Sequence, residues 1–161
     1  MNIKKYRENL ERATVHKWNR LDLRNCGLKS IPTEIFEKCP GLVILDLGND
    51  GYSDVKNEIR EIPPSIASLR NLTRINLENN QIVEISENLC KLDKLTYLNL
   101  AGNRITHLPS SIANLPKLDS LFLEGNPFDK LPPEIVARGI DSIRHFIKQM
   151  DVPDFLFEAK L

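Results

Sequence analysis

A chain of 161 residues with 22 basic and 22 acidic side chains has no formal net charge, so bulk electrostatics draws it neither to nucleic acid nor to an anionic membrane. Its length is that of one domain, no apolar run is long enough to span a bilayer, and the start Met1-Asn2-Ile3-Lys4-Lys5-Tyr6 lacks the apolar core of a secretory signal. The expected compartment is the cytoplasm; Cys26, Cys39 and Cys90, odd in number and without paired spacing, read as free thiols.

Ile3, Tyr6, Leu10 and Ala13 recur at helical spacing among charges, which predicts an amphipathic N-terminal cap over residues 1–14. Val15, Trp18, Leu21 and Leu23 then open a first unit of a longer pattern. The clearest copy of that pattern is Leu95, Leu98, Leu100, Asn103 and Ile105, an L-x-x-L-x-L-x-x-N-x-I phrase. It returns as Leu72, Ile75, Leu77, Asn80, Ile82 and as Leu118, Leu121, Leu123, Asn126, Phe128, with the asparagines spaced by 23 and 23 residues. Strict self-similarity at this period marks a stacked repeat. In the first unit Trp18 occupies the first leucine position and Cys26 the asparagine position.

The second unit, Leu42, Leu45, Leu47, departs from the pattern: Leu45 to Ile75 is 30 residues, seven more than 23. The extra length falls in the turn-forming run Gly48-Asn49-Asp50-Gly51-Tyr52-Ser53-Asp54, which predicts a loop insert near residues 48–57. Its acidic residues do not meet EF-hand spacing; the loop is either a solvated excursion or a partner contact.

Alternation within each extended segment turns Leu98 and Leu100 inward and Tyr97, Asn99 and Ala101 outward. The carboxamides of Asn80, Asn103 and Asn126, with Cys26 in the equivalent first slot, form a predicted structural ladder. Each asparagine is expected to satisfy backbone groups of its own turn and of the next repeat. Ile85, Leu108-Pro109 and Leu131-Pro132 lead into returning limbs, where proline suits the first turn of a short helix. Repeats are thus expected over 15–138, followed by a helical cap over 139–150 with Ile140, Ile143, Phe146, Ile147 and Met150 on one face. The remaining residues, 151–161, alternate at Phe155, Phe157, Ala159 and Leu161 like the start of a strand whose partners lie further along a longer chain.

With its L-P step, the repeat resembles cytoplasmic leucine-rich repeat proteins over about residues 15 to 138. The expected fold is therefore an α/β leucine-rich repeat solenoid: a right-handed, curved parallel sheet of five strands on the concave face, short helices on the convex face, and helical caps. Asn126-Pro127-Phe128, Leu131-Pro132-Pro133-Glu134-Ile135-Val136, the 139–150 helix and Phe157-Glu158-Ala159-Lys160-Leu161 resemble the junction between the repeats and the GTPase domain of bacterial Roco proteins. In that family the last of these segments begins the first strand of the GTPase. No G-x-x-x-x-G-K-[ST] occurs in this chain, so the phosphate cradle is missing from it.

No catalytic motif, metal-ligand spacing or cofactor loop is present, and His16, His107 and His145 lie in separate units. No catalytic residue, metal or cofactor is expected. What remains is a surface in three outward columns: Arg20, Ile44, Arg74, Tyr97, Ser120; Asp22, Asp46, Asn76, Asn99, Phe122; and Arg24, Gly48, Glu78, Ala101, Glu124. Three positive and four negative charges argue against a groove that tracks phosphates. Tyr97 and Phe122 should be diagonal neighbours, and aromatics beside arginine suit a protein-binding hot spot; alternatively Phe122 packs under the C-terminal cap. The leading reading is a non-catalytic interaction module, the regulatory repeat domain of a Roco-type GTPase, meeting a protein partner or the neighbouring GTPase domain. The alternative is a free-standing cytoplasmic adaptor.

Overall fold

The structure, a computed structural model, describes residues 2–150. The strand-like segment expected beyond Met150 lies outside the described residues. Five strands of three residues each, β1 (Arg20–Asp22), β2 (Ile44–Asp46), β3 (Arg74–Asn76), β4 (Tyr97–Asn99) and β5 (Ser120–Phe122), pair in parallel in the order of the sequence. Their register is continuous: Leu21, Leu45, Ile75, Leu98 and Leu121 stand side by side. These central side chains are buried, as strict alternation requires. A single three-residue strand could not bury its apolar face, so the sheet exists because each copy covers the next.

The returning limbs are short. Helix α2 (Glu34–Lys38), 3-10 turns at Pro64–Ser68, Leu89–Lys91 and Ser110–Asn114, and helix α3 (Pro133–Ala137) line the convex side. Pro63, Pro109 and Pro132 hold extended backbone at the position before each turn they precede, which ends the strand-like run and starts the turn. Ile35, Ile66, Leu89, Ile112 and Val136 point from these limbs into the same core as the strand leucines.

Helix α1 (Ile3–Val15) closes the N-terminal end by burying Tyr6, Leu10 and Ala13, and Asn2 caps its first turn through the Lys5 N–H. Asn9 Nδ2 donates to the Asp22 carbonyl at 2.6 Å, and Tyr6 donates its hydroxyl proton to Glu34. Two first-unit expectations fail here. Val15 belongs to α1 and is exposed, and Trp18 is 53% exposed instead of buried in the first leucine slot. The chain leaves α1 through Lys17 at φ 50°, and Trp18 comes to lie beside Arg12, whose guanidinium is 6.0 Å from the ring centroid. With no preceding repeat to stack on, that slot needs no leucine; α1 covers the core there.

Helix α4 (Ile140–Met150) covers the other end with Ile140, Ile143 and Ile147, whereas Met150, expected on the same face, is exposed. Arg144 completes the closure: its guanidinium donates to the carbonyls of Ala113, Leu115 and Leu118 at 3.3, 2.9 and 2.9 Å. These carbonyls lie in and after the Ser110–Asn114 turn and before β5, so one planar cation with several donors ties α4 to the last repeats.

The asparagine ladder runs opposite to expectation. Asn103 Oδ1 accepts from the Ile82 N–H at 3.0 Å and its Nδ2 donates to the carbonyls of Leu77 and Leu100. It therefore joins its own turn to the preceding repeat rather than the next. Asn80 and Asn126 do the same, accepting from Ile59 and Ile105. A carboxamide in the first repeat would have no earlier turn to bond. Cys26, buried and without amide groups to satisfy, fills that slot.

The residue before Cys26, Asn80, Asn103 and Asn126 turns left-handed. Asn25 and Asn79 have φ of 55° and 56°, and Gly102 and Gly125 have 66° and 71°. At Gly102 glycine is required twice over, because a Cβ would also collide with the Oδ1 of Asn79 in the adjacent repeat.

Candidate interaction surface

The outward columns fall into register as three rows across the sheet. Arg20, Ile44, Arg74, Tyr97 and Ser120 are paired neighbours in the first row, and Asp22, Asp46, Asn76, Asn99 and Phe122 in the second. Arg24, Gly48, Glu78, Ala101 and Glu124 follow two residues further along each strand, where the chain begins to turn. This brings twelve candidate residues onto one face: Arg20, Asp22, Arg24, Ile44, Asp46, Arg74, Asn76, Glu78, Tyr97, Asn99, Phe122 and Glu124.

They are not equally available. Asn99 is buried, contrary to the alternation expectation, because it is held from both sides: its Oδ1 accepts from the Ala101 N–H and its Nδ2 donates to Glu78 at 3.1 Å. Asn76 likewise donates to Asp46 at 3.0 Å while accepting from the Glu78 N–H. Its side chain lies over Gly48, where an added Cβ would come within 2.7 Å of Nδ2. The middle row thus carries a hydrogen-bonded chain along the sheet, and exposure concentrates on either side of it.

At one end Arg24 bridges two carboxylates, pairing with Asp22 at 2.7 Å and Asp46 at 3.3 Å. Burial pushes both acids toward the neutral form, and the outcome differs between them. At Asp22 the hydrogen bonds from Arg24 outweigh burial and the carboxyl titrates below its ordinary range. At Asp46 burial prevails over the bonds from Gly48, Arg24 and Asn76, and the carboxyl titrates above it. The Asp22 hydrogen bond and the neighbouring carboxylates hold the Arg24 guanidinium firmly protonated, despite its partial burial.

At the other end the side chains are stacked. The Tyr97 and Phe122 rings meet at 5.3 Å and 47°, and the Arg74 guanidinium lies 4.1 Å from the Tyr97 centroid. Phe122 is 39% exposed on the sheet and packs on Tyr97, rather than hiding under α4. The cation and quadrupole attract, and the result is an arginine held in one orientation over a part-exposed aromatic pair.

The insert divides into a tip and a stem. At the tip Tyr52 is 97% exposed and its N–H bonds Asp50 Oδ1. At the stem Asn49 and Asn57 clasp each other: Asn57 N donates to Asn49 Oδ1 at 2.7 Å, and Asn49 Nδ2 donates to the Asn57 carbonyl at 2.9 Å. Asn57, expected within the loop, is instead the ladder asparagine of the second repeat. It accepts from Cys26 and Leu28 and donates to Leu23 and Leu47. The signal was present in the sequence, since Asn57 stands two residues before Ile59 as Asn80 does before Ile82.

A stacked solenoid with an aromatic and charged strand face is the architecture of a binding scaffold. The leucine rich repeat family model matches residues 18–82, 55–105 and 70–128, and the chain belongs to that family. No match was found among curated proteins. A leucine-rich repeat protein of Leptospira interrogans is 30% identical over 80% of this chain and 36% of its own, with a TM-score of 0.57. Internalin C2 from Listeria monocytogenes is 28% identical over 77% of this chain and 50% of its own, at a TM-score of 0.61. A chain in the BIR3–SERK2 complex of Arabidopsis thaliana is 28% identical over 73% and 61%, at 0.59. The chain thus spans between about a third and a half of the first two structures. Among the described residues no helix is long and apolar enough to cross a membrane.

Proposed function

We propose that this chain is a non-catalytic protein-binding module acting in the cytoplasm, and that it serves as the regulatory repeat domain of a Roco-type GTPase. The concave strand face is the binding surface in this reading, with Tyr97, Phe122 and Arg74 at its centre and the Arg24 network and Glu124 at its margin. The observation that carries it is the Arg74–Tyr97–Phe122 stack: ordered aromatic surface, partly exposed, beside a cation. Such groups lose little conformational freedom on binding and dominate interface energetics elsewhere. Support also comes from a chain of similar fold that is found in a complex, BIR3–SERK2.

The Roco assignment rests on the sequence of the junction, from Asn126-Pro127-Phe128 through the α4 segment to Phe157-Glu158-Ala159-Lys160-Leu161. A photo-cross-linking phenylalanine analogue at Phe122, expressed in the native host, tests both levels. Adducts to a protein, or to a GTPase domain encoded in the same reading frame, are expected, with few from a control at Lys91 on the convex side. Equal adducts from the two positions would remove the concave-face reading. A reading frame without G-x-x-x-x-G-K-[ST] after Leu161 would remove the GTPase assignment and leave a free-standing adaptor.

A further inference from the structure

We propose that the depression between Arg20, Ile44, Arg74 and Tyr97 receives an acidic peptide segment in polyproline II form, an inference that rests on the concave face being the binding surface. The depression has a volume of about 500 Å³, and its lining also includes Asp46 and Asn76. Charge on this face is sorted. The first row holds Arg20 and Arg74 and no acid, whereas Asp22, Asp46, Glu78 and Glu124 all lie in the second and third rows, where the one arginine, Arg24, is already paired with Asp22 and Asp46.

The acids and arginines also differ in how far they are already engaged. Asp22 and Asp46 share Arg24, Asp46 accepts further bonds from Asn76 and the Gly48 N–H, and Glu78 accepts from Asn99. Among the described residues Arg20 and Arg74 make no ion pair, as the five pairs present all involve other side chains. Arg74 uses the face of its guanidinium on Tyr97, which leaves the edge donors pointing away from the ring and suited to a carboxylate. Holding that side chain before the ligand arrives lowers the entropy cost of capture.

The spacing defines the ligand. Arg20 and Arg74 are separated by one intervening strand, so their backbones stand roughly 10 Å apart, close to the rise over one three-residue turn of a polyproline II segment, in which residues three apart share a face. Ile44 lies between them and Tyr97 beyond Arg74. A segment crossing the strands would present two acidic side chains in the pattern acid-x-x-acid, an aliphatic side chain to Ile44, and an aromatic one to the Tyr97–Phe122 pair. The Asp46 carboxylate in the lining disfavours a polyanion lying flat across the depression and favours discrete carboxylates reaching the two arginines.

The probe is the blocked peptide Glu-Leu-Ala-Glu-Phe, with Lys-Leu-Ala-Lys-Phe and inorganic phosphate as comparisons, followed by backbone amide NMR shifts at low and high salt. The glutamate peptide should shift residues of β1 to β4 and bind about tenfold more tightly than the lysine peptide at low ionic strength, with the preference shrinking in salt. Arg20→Ala and Arg74→Ala should each weaken it by about tenfold, Arg74→Lys by less, and Arg74→Glu should narrow or reverse the preference. Equal binding of the two peptides, no shifts at about millimolar peptide, or shifts unaffected by the arginine variants would overturn the inference. Phosphate reproducing the full effect would assign the site to a free anion instead. Any of these results leaves the cross-linking at Phe122 intact if the concave face binds a partner of other chemistry.

Discussion

Asn57 and Cys26 are bonded across 31 residues of sequence: the Asn57 Oδ1 accepts from the Cys26 N–H at 3.1 Å, inside the core. The same oxygen takes the Leu28 N–H at 2.9 Å, and the Nδ2 donates to the carbonyls of Leu23 and Leu47. One carboxamide therefore satisfies four backbone groups of two repeats. Replacing it by alanine leaves those groups without partners in a site closed to solvent. Each buried unsatisfied group costs about 1–3 kcal/mol, so Asn57→Ala should destabilise by several kcal/mol in urea or thermal denaturation. A loss below about 0.5 kcal/mol would show that water reaches the site or that the turn rearranges.

Removing the insert should be far gentler. Deletion of residues 50–56 joins Asn49 to Asn57 and restores Leu47-x-x-Asn57-x-Ile59, the spacing of every regular repeat. Asn49 then takes the place held by Asn79, a left-handed position that asparagine tolerates. The shortened chain should fold with stability within about 1 kcal/mol of the original, because loop length alters closure entropy slowly and the loop tip is exposed. Loss of cooperative unfolding in the deletion variant would mean that the loop itself supports the second repeat.

Arg144→Met keeps much of the aliphatic stem but withdraws the donors that serve Ala113, Leu115 and Leu118. The expected cost is about 1–3 kcal/mol, concentrated at the C-terminal end. Hydrogen exchange should show faster opening of β5 and α4 while β1 to β3 stay protected. Uniform acceleration along the chain would indicate that the end cap and the rest unfold as a single unit.

Asp22 and Asp46 should respond to acid in opposite directions although they share Arg24. At Asp22 the bonds from Arg24 outweigh burial and lower the folded pKa, so it contributes stability above its unfolded value that is lost as pH falls through the folded value. At Asp46 burial raises the folded pKa; the folded state then holds the proton more tightly, and stability falls as pH climbs from the unfolded value through the folded one. Urea titrations between about pH 3 and pH 7 should therefore show Asp46→Asn gaining on the wild type toward neutrality and Asp22→Asn losing. Parallel profiles for the two variants would contradict the different balance of burial and hydrogen bonding.

The recurrence of leucine and asparagine in the sequence was enough to place five strands, their shared register and the convex turns, because period is a local property written into each copy. It also set Tyr97 diagonal to Phe122, since register and alternation together leave one choice. Other features depend on atoms brought together only by folding. Asn57 escaped the pattern because the seven-residue insert separates it from Leu47, although it stands before Ile59 as Asn80 stands before Ile82, and folding returns it to Cys26 and Leu23. The ladder's direction follows from which turn lies on the open side of each carboxamide, and period is blind to that. Asn99 alternates outward and is nevertheless buried, because Glu78 and the Ala101 N–H close over its amide. Arg144 reads as one charge on an amphipathic helix; only the packing of α4 against the turn at Ser110–Asn114 brings it to three carbonyls there and makes it a clasp.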